Sequence, residues 1–376
     1  MRAAGVNARA SFRLFLLIAA IVASCVLTVS CPDQPARARE QWSAQEAWKW
    51  YEQHPWLVGF NYIPATAINT TEMWQRETFD PATIEREMAL AQGIGLNCAR
   101  VFVQYLVWEN GPEGLNQRLN TFLDIAARHG IKTMLVLFDD CAFGTMTEPF
   151  LGKQPDVDPG EYANGWTPSP GPSRVVNQKA WPKLEAYVKD LIGRFSSDQR
   201  VLAWDIYNEP GNTSMGNKSL SLLKTVFVWG RQAAPTQPLT VGFWSPQLKD
   251  LNEIIFSQSD VISFHLYGGA DAMRHKISEL KKRGRPLLCT EWMNRPLGST
   301  FANILPIFYQ ERVGSMFWGL VNGKMQTNYH WGSKAGDPPP RVWQHDIFHG
   351  DMTPYDQHEI DLLKEYIRMS PSVPRR

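Results

Sequence analysis

The stretch VLAWDIYNEP, residues 201–210, passes from apolar, strand-forming residues directly into a polar tip, Asn208-Glu209-Pro210. A short strand that is apolar on both faces is covered on both sides, as in parallel sheets flanked by helices. A carboxylate at the end of such a strand is costly unless it is hydrogen-bonded or takes part in chemistry. Seven further runs of the same kind recur at 56–64, 95–103, 132–140, 238–244, 260–268, 286–292 and 314–323. Between them lie segments with helical spacing. DPATIEREMALAQGI carries Asp80 as a cap and Pro81 at the first helical position, and RLNTFLDIAARHGI runs out at Gly130 behind Arg128 and His129. Similar segments follow the later strands, except that SPQLKDLNEIIFSQS, after the fifth, reads as shorter and less helical.

Eight evenly spaced strand–helix units predict an α/β fold of the closed (β/α)8 TIM barrel type rather than an open sheet. The first strand ends GFNYIPATAINT without a GxGxxG, and the chain contains no GxxxxGK[ST], which disfavours nucleotide-binding folds. Two long Pro/Gly-rich connections, 141–180 and 324–356, leave the C-terminal ends of strands 3 and 8, where barrel enzymes build their clefts. A final helix, QHEIDLLKEYIRMS, is expected to pack back on the barrel.

The chain has 376 residues, 44% hydrophobic and 20% charged, with 38 Lys and Arg against 37 Asp and Glu. That composition predicts a globular fold, and the charge balance calls for no nucleic acid partner. Its 15 tryptophans fit either a core or a groove that stacks on the apolar faces of rings. The first 31 residues differ in kind: Arg2, Arg9 and Arg13 precede an uncharged run from Leu14 to Ser30. This is the pattern of an export signal, with VASC at Cys25 resembling a lipoprotein lipobox and a retained signal anchor as a further possibility. The expected organisation is a leader over 1–31, a helical extension over 32–54 and the barrel over 55–370, all acting outside the cytoplasm. Membrane contact is expected only through the leader or a lipid anchor, and oligomeric state is not legible. Cys98 and Cys289 sit in apolar runs as small hydrophobes, and no zinc-type spacing joins them to Cys141.

A second glutamate, Glu291, ends the seventh run, PLLCTEW. Strands four and seven face each other across an eight-stranded barrel mouth, so Glu209 and Glu291 are set to meet over one cleft. Two carboxylates there are the machinery for cleaving a glycosidic bond: one protonates the leaving oxygen and the other attacks the anomeric carbon or activates water. Neither cofactor nor metal is required. His330, His345, Asp346, His349 and Asp351 crowd the last long loop, but without a zinc signature.

WDIYNEP on strand four with TEW on strand seven resembles the clan of retaining glycoside hydrolases on (β/α)8 barrels, the cellulase and β-mannanase group in particular. The resemblance implies that Glu209 is the acid/base, Glu291 the nucleophile, and Asn208 the partner of the sugar 2-hydroxyl. Arg100 in CARVF would steady the nucleophile, Tyr267 in SFHLYG would donate toward it beside His265, and Trp318 in MFWGL would form a platform under the sugar. Plainer alternatives stand beside these: Asn208-Glu209-Pro210 as a cap on the following connection with Glu209 bonded to backbone amides, Arg100 as a structural ion-pair partner, and His265 and Trp318 as core. Where cellulase-like members often carry a histidine at the end of strand three, this chain reads LFDDCAF, so Asp139 or Asp140 is expected to contact a sugar hydroxyl or form a salt bridge, with at least one of the two a loop cap. Trp166, Trp331 and Trp343 lie in the long loops, and at least one is expected to supply an outer sugar subsite. The reading is a retaining β-glycoside hydrolase acting on a β-linked glucan, mannan or xylan. A noncatalytic carbohydrate-binding barrel and a transglycosylase are the alternatives.

Overall fold

Strands β1 (Val58–Tyr62), β2 (Cys98–Phe102), β3 (Lys132–Val136), β4 (Val201–Asn208), β5 (Leu239–Gly242), β6 (Ile262–His265), β7 (Leu287–Glu291) and β8 (Gly314–Trp318) fall one in each apolar run. In this computed structural model, which describes Met1, residues 39–144 and residues 146–370, they are all parallel, in the order β5-β4-β3-β2-β1-β8-β7-β6. The ring closes between β5 and β6, where the Phe243 amide donates to Ser263 O (3.2 Å) and the His265 amide to Phe243 O (2.8 Å). Apart from Met1, the leader over residues 1–31, with Cys25 and Cys31, lies outside the described residues.

Helices follow the strands for local reasons that the sequence carries. Helix Pro81–Ile94 starts at Asp80, whose carboxylate accepts from the Thr83 amide, and stops at Gly95 in the left-handed conformation. The segment after β5 is shorter than the other barrel helices, as expected, but it is fully helical over its ten residues, Lys249–Gln258, and buries Leu251 and Ile255. Only Leu251 and Ile255 are fully buried, with Ile254 and Phe256 partly covered against the core, so its apolar stripe is short. The final helix, Gln357–Met369, lays Ile360 and Leu363 on the barrel.

Most of the core lies between the strands and the helices, and a second cluster fills the barrel floor. There Met134, Ala203, Leu288 and Met316 meet Ala47 and Tyr51 of helix Ala44–Tyr51, which begins with a Ser43–Glu46 capping box. Asp260, fully buried at the floor, receives Arg39 (2.6 Å), Arg231 (2.7 Å) and the amides of Trp42 and Leu239. Packing there is tight: a Cβ on Gly59 would stand 1.9 Å from the Cys98 carbonyl oxygen.

At the opposite end the two long connections are stitched together. The Ala163 amide donates to Met325 O (2.9 Å), the Gly160 amide to Gln326 Oε1 (3.0 Å), the Tyr162 amide to Ser333 Oγ (3.0 Å) and the Gly336 amide to Pro159 O (2.7 Å). No helix among the described residues is long and apolar enough to cross a membrane.

Candidate active site

Glu209 leaves the end of β4 with a left-handed backbone, φ 42°, a strained conformation for a non-glycine residue. Its carboxylate is buried: Oε1 lies 2.6 Å from His265 Nδ1, and Oε2 accepts from Asn212 and from the Cys141 thiol (3.2 Å). Glu291 ends β7, with Oε1 accepting from Arg100 (2.7 Å) and Oε2 from the Tyr267 hydroxyl (2.8 Å). Both open on one cleft of about 510 Å³, and a carboxylate oxygen of each, together with a His265 nitrogen, lie within 4.8 Å of one another.

Register brings the supporting groups into this space. The β4–β5 pairing slips between Asp205 and Asn208, and the β6–β7 pairing slips between Phe264 and His265. Such irregularities re-aim side chains at a sheet end. His265 turns into room left by Gly242, whose added Cβ would lie 2.9 Å from His265 Nε2.

The two carboxylates sit in different electrostatic settings. Burial pushes both above the usual carboxylate range. Only Glu291 has a cation in contact. Burial alone would lower the Arg100 guanidinium, but Asp205 and Glu291 outweigh it, so Arg100 stays charged. Tyr267 is held as a neutral donor by burial and by Glu291. Burial pushes His265 down to about 4, so it faces Glu209 as a neutral imidazole, with Nε2 3.1 Å from Thr290 Oγ1. The arrangement favours charge on Glu291 and a proton on Glu209.

The cellulase (glycosyl hydrolase family 5) profile matches residues 59–318 of the chain, from β1 to the end of β8. The chain belongs to glycosyl hydrolase family 5. It is therefore an O-glycosyl hydrolase, and its barrel is the family's scaffold. No curated protein matches this family 5 chain. Solved structures similar to it include the endo-β-1,4-mannanase from Thermotoga petrophila, at 16% identity and TM-score 0.55 over 84% of this chain and 77% of that one. A family 5 mannosidase from Rhizomucor miehei is also similar, at 14% identity and TM-score 0.55 over 84% and 93%. A GH5_18 protein from Streptomyces cattleya, solved with GlcNAc, shares 12% identity at TM-score 0.55 over 86% and 83%.

The enzyme's cleft brings together Asn208, Glu209, His265, Tyr267, Glu291 and Trp318, but not Arg100 or Asp139. Arg100 lies fully buried behind the cleft, donating to Asp205 (2.7 Å), Asn61 (2.9 Å) and Asn208 as well as to Glu291. It orders the surroundings of Glu291 and does not line the cleft. Asp139 needs a similar correction. Its oxygens accept from Asn208 (2.8 Å), the Cys141 amide (2.9 Å) and the Trp166 indole (2.9 Å), and it lies buried off the cleft, out of reach of a sugar hydroxyl. Asp140 is the loop cap, accepting from Tyr207 (2.7 Å), the Gly211 amide (2.7 Å) and Ser219. Burial raises Asp139 to about 7 and Asp140 to about 6.

Of the loop tryptophans, Trp331 is 43% exposed at the cleft rim, its ring edge-on to Tyr267 at 5.0 Å. Trp166 is buried at the cleft wall, and Trp343 is packed on Tyr355 (4.7 Å) and His349 (4.5 Å) away from the cleft. The histidine-rich loop does not converge. His345 bonds Met293 O and Gln344, Asp346 bonds Thr327, Asp351 bonds Thr353 and His330 bonds Val342 O. Glu209, His265 and Glu291 are themselves spaced closely enough to hold an ion. However, Arg100, Tyr267, Asn212 and Cys141 already donate to their carboxylate oxygens, a donor set suited to carboxylates rather than to a cation.

Asn61, Asp205, Asn212, Cys141 and Trp244 belong to the site but did not stand out in the sequence. Asp205 carried a signal, a charge set inside an otherwise apolar strand, and Asn61 a weaker one at the polar end of β1. The others lie on loops and had none.

Proposed function

We propose that this family 5 hydrolase cleaves neutral β-linked oligo- or polysaccharides with retention, Glu291 acting as nucleophile and Glu209 as acid/base. The observation that carries the reading is the approach of the two carboxylates: one oxygen of each lies within 4.8 Å of the other, and His265 Nδ1 stands 2.6 Å from Glu209 Oε1 and 3.6 Å from Glu291 Oε2. Retaining pairs stand roughly 5–5.5 Å apart, whereas inversion needs roughly 6.5–9.5 Å to admit a water between carboxylate and sugar. In this scheme Glu291, ionised under Arg100 and Tyr267, attacks the anomeric carbon as Glu209 protonates the departing oxygen. Glu209, now ionised, draws a proton from water, which releases the sugar from Glu291. Asn208 gives one amide hydrogen to Asp139 and holds the other only loosely, 3.5 Å from Cys141 Sγ, so it has a donor for the 2-hydroxyl. Trp318, half-buried beside Trp166 and Phe102, offers its indole as the platform.

The residues lining the cleft include no lysine or arginine, which suits neutral sugars better than uronates. Endo-β-1,4-mannanase and mannosidase structures among the fold's relatives make β-mannosides the first class to test, ahead of glucans and xylans. The charged-then-apolar leader supports export or membrane anchoring.

The test is incubation with 2-deoxy-2-fluoro β-glycosides followed by peptide mapping, and sizing of products from β-mannan, β-glucan and xylan. Label on Glu291 with loss of activity, and release of short β-linked products, are expected. Glu209→Gln and Glu291→Gln should each remain folded and lose most turnover. Undiminished activity of either on the best substrate refutes the assignment.

A further inference from the structure

The run Asp139-Asp140-Cys141, where this chain departs from the pattern expected after β3, has a common destination: the bed beneath Glu209. Asp139 fixes Cys141 through its backbone amide (2.9 Å), and the thiol, 3.2 Å from Glu209 Oε2, lines the cleft. Asp140 fixes the turn after β4 through the Gly211 amide (2.7 Å) and Ser219. That turn, closed by the Asn212 amide on Glu209 O (3.0 Å), aims the Asn212 side chain at the same Oε2. Asn212 Nδ2 also lies 3.3 Å from Cys141 Sγ, so thiol, amide and carboxylate form one triangle. Burial and the surrounding carboxylates keep the thiol protonated, hence a donor.

We propose that Cys141 and Asn212 are positioning residues for the acid/base: together they hold Glu209 Oε2, leaving Oε1, beside His265, as the oxygen that carries the proton to the leaving group. The inference rests on the reading of Glu209 as acid/base. Two hydrogen-bond donors on one oxygen stabilise the ionised form, so they also bring down an acid that burial would otherwise leave too weak. Burial raises Glu209, and the hydrogen bonds from Cys141 and Asn212 act against it. The other titratable groups facing Glu209 are His265 and Tyr267 from the end of β6, Glu291 from β7, Arg100 from β2 and Asp139 beyond β3. None of them is altered in the variants below.

The experiment measures kcat/KM against pH for the full chain and for Asn212→Ala, Cys141→Ala and Cys141→Ser. The probes are a phenyl and a dinitrophenyl β-glycoside of the same sugar. The basic limb reports loss of the acid's proton, and removing a donor raises that pKa. Each alanine variant should therefore move the basic limb upward by about half to one pH unit. Turnover of the phenyl glycoside should fall about tenfold, a part of the roughly 10²–10⁴ that a general acid supplies, with little change for the dinitrophenyl glycoside, whose leaving group needs no proton. Cys141→Ser, which keeps a donor, should recover most of the Cys141→Ala loss. An unmoved basic limb in folded alanine variants, or equal slowing of both substrates, overturns the proposal. Should Asn212→Ala not fold, the Cys141→Ala and Cys141→Ser comparison decides alone. Glu209→Gln separates the failures. If it turns over the phenyl glycoside normally, the acid/base reading itself falls; if it is inactive while the alanine variants behave as wild type, only this inference does.

Discussion

Removing one oxygen atom, the Tyr267 hydroxyl, tests how Glu291, the proposed nucleophile, is kept ionised. In Tyr267→Phe the ring keeps its edge contacts with Trp331 (5.0 Å) and His345 (5.4 Å), so no cavity opens. What disappears is the 2.8 Å hydrogen bond to Glu291 Oε2, leaving Arg100 at 2.7 Å on Oε1 as the remaining side-chain donor. A hydrogen bond to a charged group contributes about 1.5–3 kcal/mol. At 1.36 kcal/mol per pKa unit, the Glu291 carboxyl should rise by roughly one to two units. The sign follows from the chemistry. Glu291 must be ionised to attack, so the acid limb of kcat/KM moves to higher pH, while the basic limb, set by Glu209, stays in place. The assay is a pH series on an activated aryl β-glycoside, with urea unfolding to show that the variant stays folded, at a stability cost of no more than about 1.5–3 kcal/mol, the worth of the lost bond. An acid limb unchanged in a folded variant would refute the reasoning, because Tyr267 would then be a bystander to Glu291.

Further outcomes are expected elsewhere in the barrel. Gly242→Ala would drive a methyl to within 2.9 Å of His265 Nε2 and 3.4 Å of Asn208 Oδ1. Overpacking of that kind costs about 1–3 kcal/mol, and both urea unfolding and kcat should register it. Trp331→Ala should weaken binding of long oligosaccharides more than short ones, measured by calorimetry across chain lengths; equal weakening would remove Trp331 from any outer subsite. Asp260→Ala strands the buried Arg231 and the largely buried Arg39 without their shared carboxylate, and should cost about 3–5 kcal/mol in urea unfolding.

The strands were readable because a residue run covered on both faces has few other interpretations, and all eight runs hold one. Glu209 and Glu291 were readable because each closes such a run, where a carboxylate has no structural excuse. The helix Lys249–Gln258 read weakly because only Leu251 and Ile255 are fully buried, and Ile254 and Phe256 are only partly covered. Short helices Thr70–Trp74 and Tyr105–Asn110 passed unnoticed for want of length: the cap Asn69 lies beside threonines that read equally well as loop, and the cap Gln104 sits inside the apolar run VFVQYLVW, which shows no break between strand and helix. The bed under the carboxylates was legible only through the family resemblance, which singled out Arg100 but neither Asp205 nor Asn61. Arg100 spans from β2 to Asp205 on β4 and Glu291 on β7, a convergence set by barrel closure and not by local spacing. Asp139 looked like a sugar ligand because its burial depends on Trp166, 27 residues further on, folding back over it.

The stitched connections after β3 and β8 bear on how such a cleft changes over time. Their backbones bond reciprocally, Ala163 to Met325 in one direction and Gly336 to Pro159 in the other. Importing one of these excursions alone from another barrel would leave its opposite number's amides facing strangers. Transplanted as a pair, they would travel as a cassette, and the specificity they encode on that flank would be inherited whole.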